Sequence, residues 1–196
     1  MIEPIVVVRL MRNLRYKLTY VKIFESYLEP NPGPVVVDLL NSLIQAQKTA
    51  VAPLSSYLRR QEANVQDMEL DEKLMGHAAG RDSVKARLRF IYEGLSRAVA
   101  WYRMQLVDKQ MTADPELREL LLDLGEIDAA KLWRTEATMA MLGISAKPKQ
   151  KDYNDQRRPE PRGVEGWRPR LVEDVTWDEQ RPPRWYRPSG AKRKER

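Results

Sequence analysis

The arrangement of apolar residues in long helical stripes, separated by proline and glycine, most constrains how this chain can fold. The first segment runs from about Pro4 to Leu28 and is followed by a break between Glu29 and Pro34 that contains three prolines and a glycine. These residues cannot continue a helix, and Pro34 suits the first position of the next one. The following stripe predicts a second helix from about Val35 to Ala63, which Pro53 should kink.

Steps of three and four residues define the core face that each of these two segments should present. In the first segment the predicted stripe is Val8, Met11, Arg15, Leu18, Val21, Glu25 and Leu28. In the second segment it is Val36, Leu40, Leu43, Gln47, Val51, Leu54 and Leu58. The two charged residues make the first stripe the least regular in the chain.

Two further helices are predicted after a connection from Asn64 to Gly80, which can hold a short helical turn around Leu70 to Met75. His77, in this connection, is expected to be a loop residue without a catalytic role. Asp82 is the predicted N-cap of the third helix. Its stripe is Val84, Leu88, Ile91, Leu95, Ala98, Tyr102 and Leu106. The fourth helix begins at Asp114, whose acid is followed by a proline and a glutamate, and ends at Gly143 as a left-handed C-cap. Its stripe is Leu117, Leu121, Leu124, Leu132, Thr135, Met139 and Leu142.

Four amphipathic helices with short connections predict an all-α, up-down four-helix bundle over residues 1–147. Residues 148–196 differ in composition: they hold seven of the thirteen prolines, and 14 basic against 9 acidic side chains. They have too few aliphatic residues to offset the entropy of ordering, so a disordered or extended tail is expected.

Several classes of function lose support from residue content alone. The chain has no cysteine, which excludes disulfides, thiolate metal sites and a cysteine nucleophile. The first ten residues include Glu3 and Pro4, and no long apolar run follows, so neither a signal peptide nor a membrane span is expected. We therefore expect a cytoplasmic protein. No phosphate-binding loop, nucleophile elbow or complete metal site is recognisable, so we expect no cofactor.

Three stretches resemble the helices of ferritin-like and rubrerythrin-like bundles. They are Leu43 to Ala50 (LIQAQKTA), Gly94 to Tyr102 (GLSRAVAWY) and Leu117 to Glu126 (LRELLLDLGE). This resemblance implies a four-helix fold in which inward glutamates and Glu-x-x-His steps hold two metal ions.

The ligands that this resemblance implies are mostly replaced here. Gln47 and Ser96 stand where glutamates are expected, and Ala129 stands where a histidine should follow Glu126. The resemblance therefore favours the shape and argues against ferroxidase activity. Taken without it, Gln47 and Ser96 are interpreted as polar positions near the core that hydrogen-bond locally or specify helix pairing, and Glu126 as a surface acid.

The tail combines arginine with aromatic residues, as protein-interface anchors and single-stranded nucleic-acid binders both do. Its candidate partner-binding residues are Trp167, Arg168, Trp177, Arg184, Trp185, Tyr186 and Arg187. Acids between these anchors, at positions 173–174 and 178–179, would repel a phosphate backbone, so a protein partner is favoured.

The sequence thus favours a non-enzymatic structural or adaptor protein, with docking on a partner protein or self-association through the tail. One alternative is a divergent ferritin-like protein that holds a metal or small ligand among inward acids at Glu25, Glu93, Glu126 and Glu136. Another is a nucleic-acid-associated protein that uses the tail and a basic face that includes Arg81, Lys85, Arg87 and Arg89.

Overall fold

The computed structural model describes residues 2–66 and 68–146, and the regular structure in these residues is helical. The helices are α1 (Pro4–Ser26), α2 (Pro34–Arg60), α3 (Glu72–Ala79), α4 (Val84–Val107) and α5 (Pro115–Met141). The four long helices coincide with the four predicted segments to within a few residues, which confirms the all-α class. The predicted partner-binding residues of the tail lie outside the described residues.

Both ends of α5 form as the sequence predicts. The Asp114 side chain accepts a hydrogen bond from the Glu116 backbone N–H at 2.9 Å, while the intervening proline occupies the first helical position. At the other end Gly143 has φ +66°, in the left-handed region that favours glycine. The backbone N–H of Ile144 then donates to the Met139 carbonyl at 2.8 Å, which closes the helix.

Two local predictions before α4 were wrong. The connection contains the eight-residue helix α3, which Asp71 caps, so the exposed His77 is a helical residue instead of a loop residue. The N-cap of α4 is Ser83 and not Asp82: the Ser83 hydroxyl accepts a hydrogen bond from the backbone N–H three residues later at 3.2 Å.

The ends of the helices show that α2 and α4 both run antiparallel to α1. The Ile2 backbone N–H donates to the Gln61 side chain at 3.4 Å, so α2 ends beside the start of α1. Arg87, near the start of α4, donates to the carbonyls of Tyr27 and Glu29 at 3.4 and 3.2 Å, beyond the end of α1. Residues 61–83 must therefore travel the length of the bundle.

This long connection runs along α1, so the expectation of three short connections was wrong for the middle one. The backbone N–H of Asp71 donates to the Thr19 hydroxyl at 3.0 Å, and the Tyr27 hydroxyl donates to the Ala78 carbonyl at 2.9 Å. The long helices do not simply alternate in direction along the chain. The connection returns to the end of the bundle where α2 begins, so α4 runs in the same direction as α2.

Helix α5 lies between α2 and α4. Arg134 donates to the Ser42 hydroxyl at 2.6 Å, and the Tyr57 hydroxyl donates to the Asp114 carboxylate at 2.6 Å, so α2 and α5 are antiparallel. Within the described residues, no helix combines the length and the apolarity needed to cross a membrane.

The core consists of two apolar clusters. The upper cluster surrounds the end of α1 and includes Phe24, Leu40, Ile91 and Met139. The lower cluster surrounds its first half and includes Leu14, Leu54, Tyr102 and Leu121.

The face of α1 that meets these clusters differs from the predicted stripe. The buried positions in α1 include Val6, Leu10, Leu14, Lys17, Val21 and Phe24. Val8, predicted to lie in the core, is 54% exposed. In α2, by contrast, the predicted stripe is buried apart from Val51, which is half-buried.

Candidate functional site

The most unusual feature of the bundle is a set of charged and amide side chains buried midway along it. It consists of Lys17 on α1, Gln47 on α2, and Asp128 and Lys131 on α5, and we refer to it as the charged layer. Three of these side chains, those of Lys17, Gln47 and Asp128, occupy core-facing positions because each follows a buried apolar residue by three or four places, as Lys17 follows Leu14. Lys131 lies one turn after Asp128 on the same face of α5. All four residues are only 3–4% exposed.

The side chains of the charged layer satisfy one another. The Lys17 Nζ donates to the two carboxylate oxygens of Asp128 at 3.3 and 3.2 Å, and the Lys131 Nζ lies 2.5 Å from Oδ1 of the same carboxylate. Lys131 also donates to the Gln47 Oε1, and the Gln47 Nε2 donates to the Lys17 carbonyl at 3.3 Å. Three helices are thus joined by polar contacts between buried side chains.

The charges of the layer do not balance, since two lysines face one aspartate. Burial, reinforced by the nearby Lys17 ammonium, lowers the pKa of Lys131 to about 8, although Asp128 opposes the shift. Burial raises the pKa of Asp128, but attraction to both lysines outweighs it and leaves this pKa below its usual value. Asp128 is therefore a carboxylate at neutral pH, and Lys131 is a lysine that can lose its proton under mild conditions.

Helix α4 contributes an aromatic ring to the same level. The Lys17 Nζ lies 5.3 Å from the centroid of Tyr102, a distance at which a cation interacts favourably with the ring. The Tyr102 hydroxyl donates to the Asn13 side chain at 2.9 Å. Burial, with the negative Asp128 nearby, raises the pKa of Tyr102 well above its ordinary value, so the phenol stays protonated.

The four acids proposed as an inward metal cluster are not brought together. Glu93, Glu126 and Glu136 are exposed, and Glu93 lies 3.9 Å from Arg97 on the same helix. Glu25 is at the surface between Lys22 and Lys48, at 3.0 and 3.4 Å, and these lysines lower its pKa. Among residues 2–66 and 68–146 there is no group of three side chains placed to hold a metal ion.

The simpler interpretation of the ferritin-like ligand positions is confirmed. Gln47 is buried and hydrogen-bonded between helices, as described above. The half-buried Ser96 donates to the Tyr92 carbonyl one turn earlier at 2.8 Å, a local hydrogen bond. Glu126 is a surface acid.

A second feature is an apolar surface on α5, on the side opposite the core, which we refer to as the α5 outer face. Its members are Ala129, Ala130, Trp133, Ala137, Ala140 and Met141. They recur at steps of three and four, so they adjoin one another on the helix. Trp133 is 64% exposed and Met141 is 71% exposed.

Comparison with known proteins gives no match to a protein-family model, a curated protein or a solved structure.

Proposed function

We propose that this protein is a non-enzymatic adaptor or structural subunit, whose helical bundle binds a partner protein through the α5 outer face. The single observation that supports this most is the exposure of Trp133 at the centre of an alanine-rich helix surface. A tryptophan on such a surface adds contact area that water disfavours, and contiguous exposed apolar residues are typical of interaction sites.

Trp133 and Met141 are the large exposed side chains of the α5 outer face. Alanines around Trp133 allow a partner backbone to approach closely, and the indole can then fill a pocket on the partner. Full burial of an aromatic side chain removes about 150–250 Å² from water, and Trp133 is 64% exposed, so a partner can remove about 100–160 Å² more. This corresponds to roughly 2–4 kcal/mol of gross stabilisation before the costs of association. Tryptophan is among the residue types most enriched at binding hot spots.

The arginine and tryptophan residues within 148–196 are the proposed additional anchors, because both residue types are frequent anchors at protein interfaces. The partner of this segment is proposed to be a protein because acids alternate with its basic residues. The basic face that a nucleic-acid role would use is partly engaged in contacts within the chain: Arg87 donates to the Arg81 carbonyl at 3.0 Å, and the Arg81 guanidinium lies 5.6 Å from the Phe90 ring. These contacts favour a role for both arginines in holding the start of α4.

A divergent ferritin-like bundle stays a second proposal for the shape alone. A single long crossover between two helix pairs is a feature of ferritin-like folds, and residues 61–83 form such a connection. The residues at mid-bundle do not fit the metal site that this family implies. Lys17 and Lys131 place two ammonium groups beside the lone carboxylate of Asp128, which disfavours a divalent cation there.

The test of the adaptor proposal begins with native mass and elemental analysis of the full-length protein. Once a partner is purified, its Kd is measured for the wild type, for Trp133→Ser, and for Trp185→Ala combined with Tyr186→Ala. Each variant should weaken binding at least about tenfold, the equivalent of about 1.4 kcal/mol. Val107→Ser is the matched control, since Val107 is 82% exposed but lies on α4.

Two results would count against the proposal. One is a Kd that neither set of substitutions changes, because the α5 outer face and the tail would then be dispensable. The other is stoichiometric iron, manganese or zinc in the purified protein, which would return attention to a metal-binding function.

A further inference from the structure

The charged layer has a property that neither a purely apolar core nor a balanced ion pair has: it can become electrically neutral by losing a single proton. We propose that the charged layer is a proton-operated switch, in which uptake of one proton by Lys131 loosens the middle of the bundle and its loss tightens it. This inference does not depend on the proposed function, since it concerns the stability of the bundle interior.

Each of the four long helices contributes a side chain to the site. Helix α1 contributes Lys17, α2 contributes the uncharged Gln47, α4 contributes the protonated phenol of Tyr102, and α5 contributes Asp128. The aspartate is the single anion that faces Lys131 among these groups. With both lysines protonated, one buried positive charge has no counter-ion, and buried charges are costly unless paired.

Lys131 is the lysine expected to lose the proton. Lys17 contacts both oxygens of Asp128, and its Nζ lies over the Tyr102 ring, where a cation is well placed. Among the described residues no aromatic ring lies in this position relative to Lys131, and burial lowers the pKa of Lys131 to about 8. Asp128 and Tyr102 keep their protonation states between pH 7 and pH 9, because their pKa values are displaced away from this window.

The hydrogen bonds of the layer survive loss of this proton. A neutral amine still carries two N–H donors, which suffice for Gln47 and Asp128. What changes is the net charge between the upper and lower clusters. An uncompensated ammonium is better solvated when water reaches it, so the protonated form favours openings of the bundle, whereas the neutral form favours the closed structure.

The absence of native cysteine allows a clean test with the full-length chain. Thr135→Cys places a thiol one turn from Lys131, at a position that is fully buried in the native protein. The labelling rate is divided by the rate of a fully ionised thiol and by the thiolate-to-thiol ratio of an unfolded peptide at the same pH. This quotient gives the open fraction without the contribution of the probe's own ionisation, because a buried thiol stays protonated. We expect this fraction to fall roughly tenfold per pH unit from about pH 8 towards pH 10, where only the open state still binds the proton.

Removal of either lysine should abolish this dependence, because each change leaves one cation beside one anion. The variants are Lys131→Met and Lys17→Met in the Thr135→Cys background, and either can serve if the other does not fold. Lys48→Met is the matched control, because Lys48 is an exposed lysine paired with Glu25, and it should keep the full slope. A flat profile in the parent, or an unchanged slope in both layer variants, would overturn the proposal.

Discussion

The contact between the Tyr20 side chain of α1 and Gly94 of α4 allows a sharp test of the packing. A Cβ built on Gly94 would lie 2.0 Å from the hydroxyl oxygen and 2.7 Å from Cζ of Tyr20. The Tyr20 ring is itself packed against Phe24 and Phe90, with centroid distances of 5.6 and 6.3 Å. Gly94→Ala therefore forces the ring to move against two neighbours.

The expected magnitude combines two opposing effects. Alanine is favoured over glycine inside a helix by about 1 kcal/mol, whereas overpacking of a filled site costs about 1–3 kcal/mol. Gly94→Ala should therefore lower the free energy of unfolding by about 1 kcal/mol. Gly76→Ala is the matched control, because Gly76 is exposed in α3 and its added Cβ would meet no neighbouring atom within 4 Å. This substitution should raise the free energy of unfolding by up to about 1 kcal/mol.

Urea denaturation followed by circular dichroism measures the difference. A change of 1 kcal/mol moves the midpoint by about 0.5 M when the slope is about 2 kcal/mol/M. In a Tyr20→Ala background, Gly94→Ala should become stabilising, because the obstructing ring is gone. The reasoning is refuted if Gly94→Ala stabilises the wild type as much as Gly76→Ala does, since the ring would then yield without cost.

Two further predictions concern charge and capping. The folded state holds the pKa of Lys131 at about 8, below its unfolded value of about 10.5, so the free energy of unfolding should rise by about 2 kcal/mol from pH 8 to 10. It should fall again above pH 10, because tyrosines such as the half-buried Tyr20, whose pKa the fold raises to about 12, ionise first in the unfolded chain. Urea titrations at each pH check both slopes. Asp114→Ala removes an N-cap and the acceptor of a buried tyrosine hydroxyl. It should lower the free energy of unfolding by about 2 kcal/mol, and therefore the melting temperature. Asp82→Ala, which removes no cap, should leave the melting temperature unchanged, and equal effects of the two substitutions would contradict the capping assignment.

The core face of a helix could be predicted from the sequence only where one side of that helix is clearly more apolar than the others. In α2 one stripe is clearly more apolar than the others, and the predicted core face is the observed one. In α1 the run Ile5 to Val8 is apolar on every side, so two stripes compete. The neighbouring helices select the stripe that contains Leu10 and Leu14, and no property of α1 alone could have decided this.

The path of the middle connection was also beyond the sequence. The capping pattern at Asp71 was available, because the side chain accepts from a backbone N–H three residues later. Its docking on α1 depends on Thr19, whose hydroxyl looks like an ordinary polar side chain until the tertiary contact exists. Local chemistry thus predicts where helices begin, but contacts between distant residues determine where a connection runs.

The charged layer was missed for a related reason. Lys17 and Asp128 are 111 residues apart, and each alone is typical of a solvated helix surface. A usable signal did exist in α5, where Asp128 and Lys131 lie on the line from Leu124 to Thr135, inside the predicted stripe. In α1 no such signal was available, because the buried Lys17 lies outside the predicted stripe.

The position of the charged layer favours one register between α1 and α5. Apolar side chains in the upper and lower clusters could repack if α5 slid along α1 by one turn, about 5.4 Å, because hydrophobic contact is not directional. Such a slip would separate Lys17 from Asp128 and leave buried ions unpaired, at a cost of about 3–5 kcal/mol. The two apolar clusters thus supply most of the driving force for folding, while the charged layer between them penalises the wrong register. Ionisable groups that water cannot reach must be paired. This requirement makes the charge imbalance weaken the layer at neutral pH, and it also gives the layer its contribution to specificity.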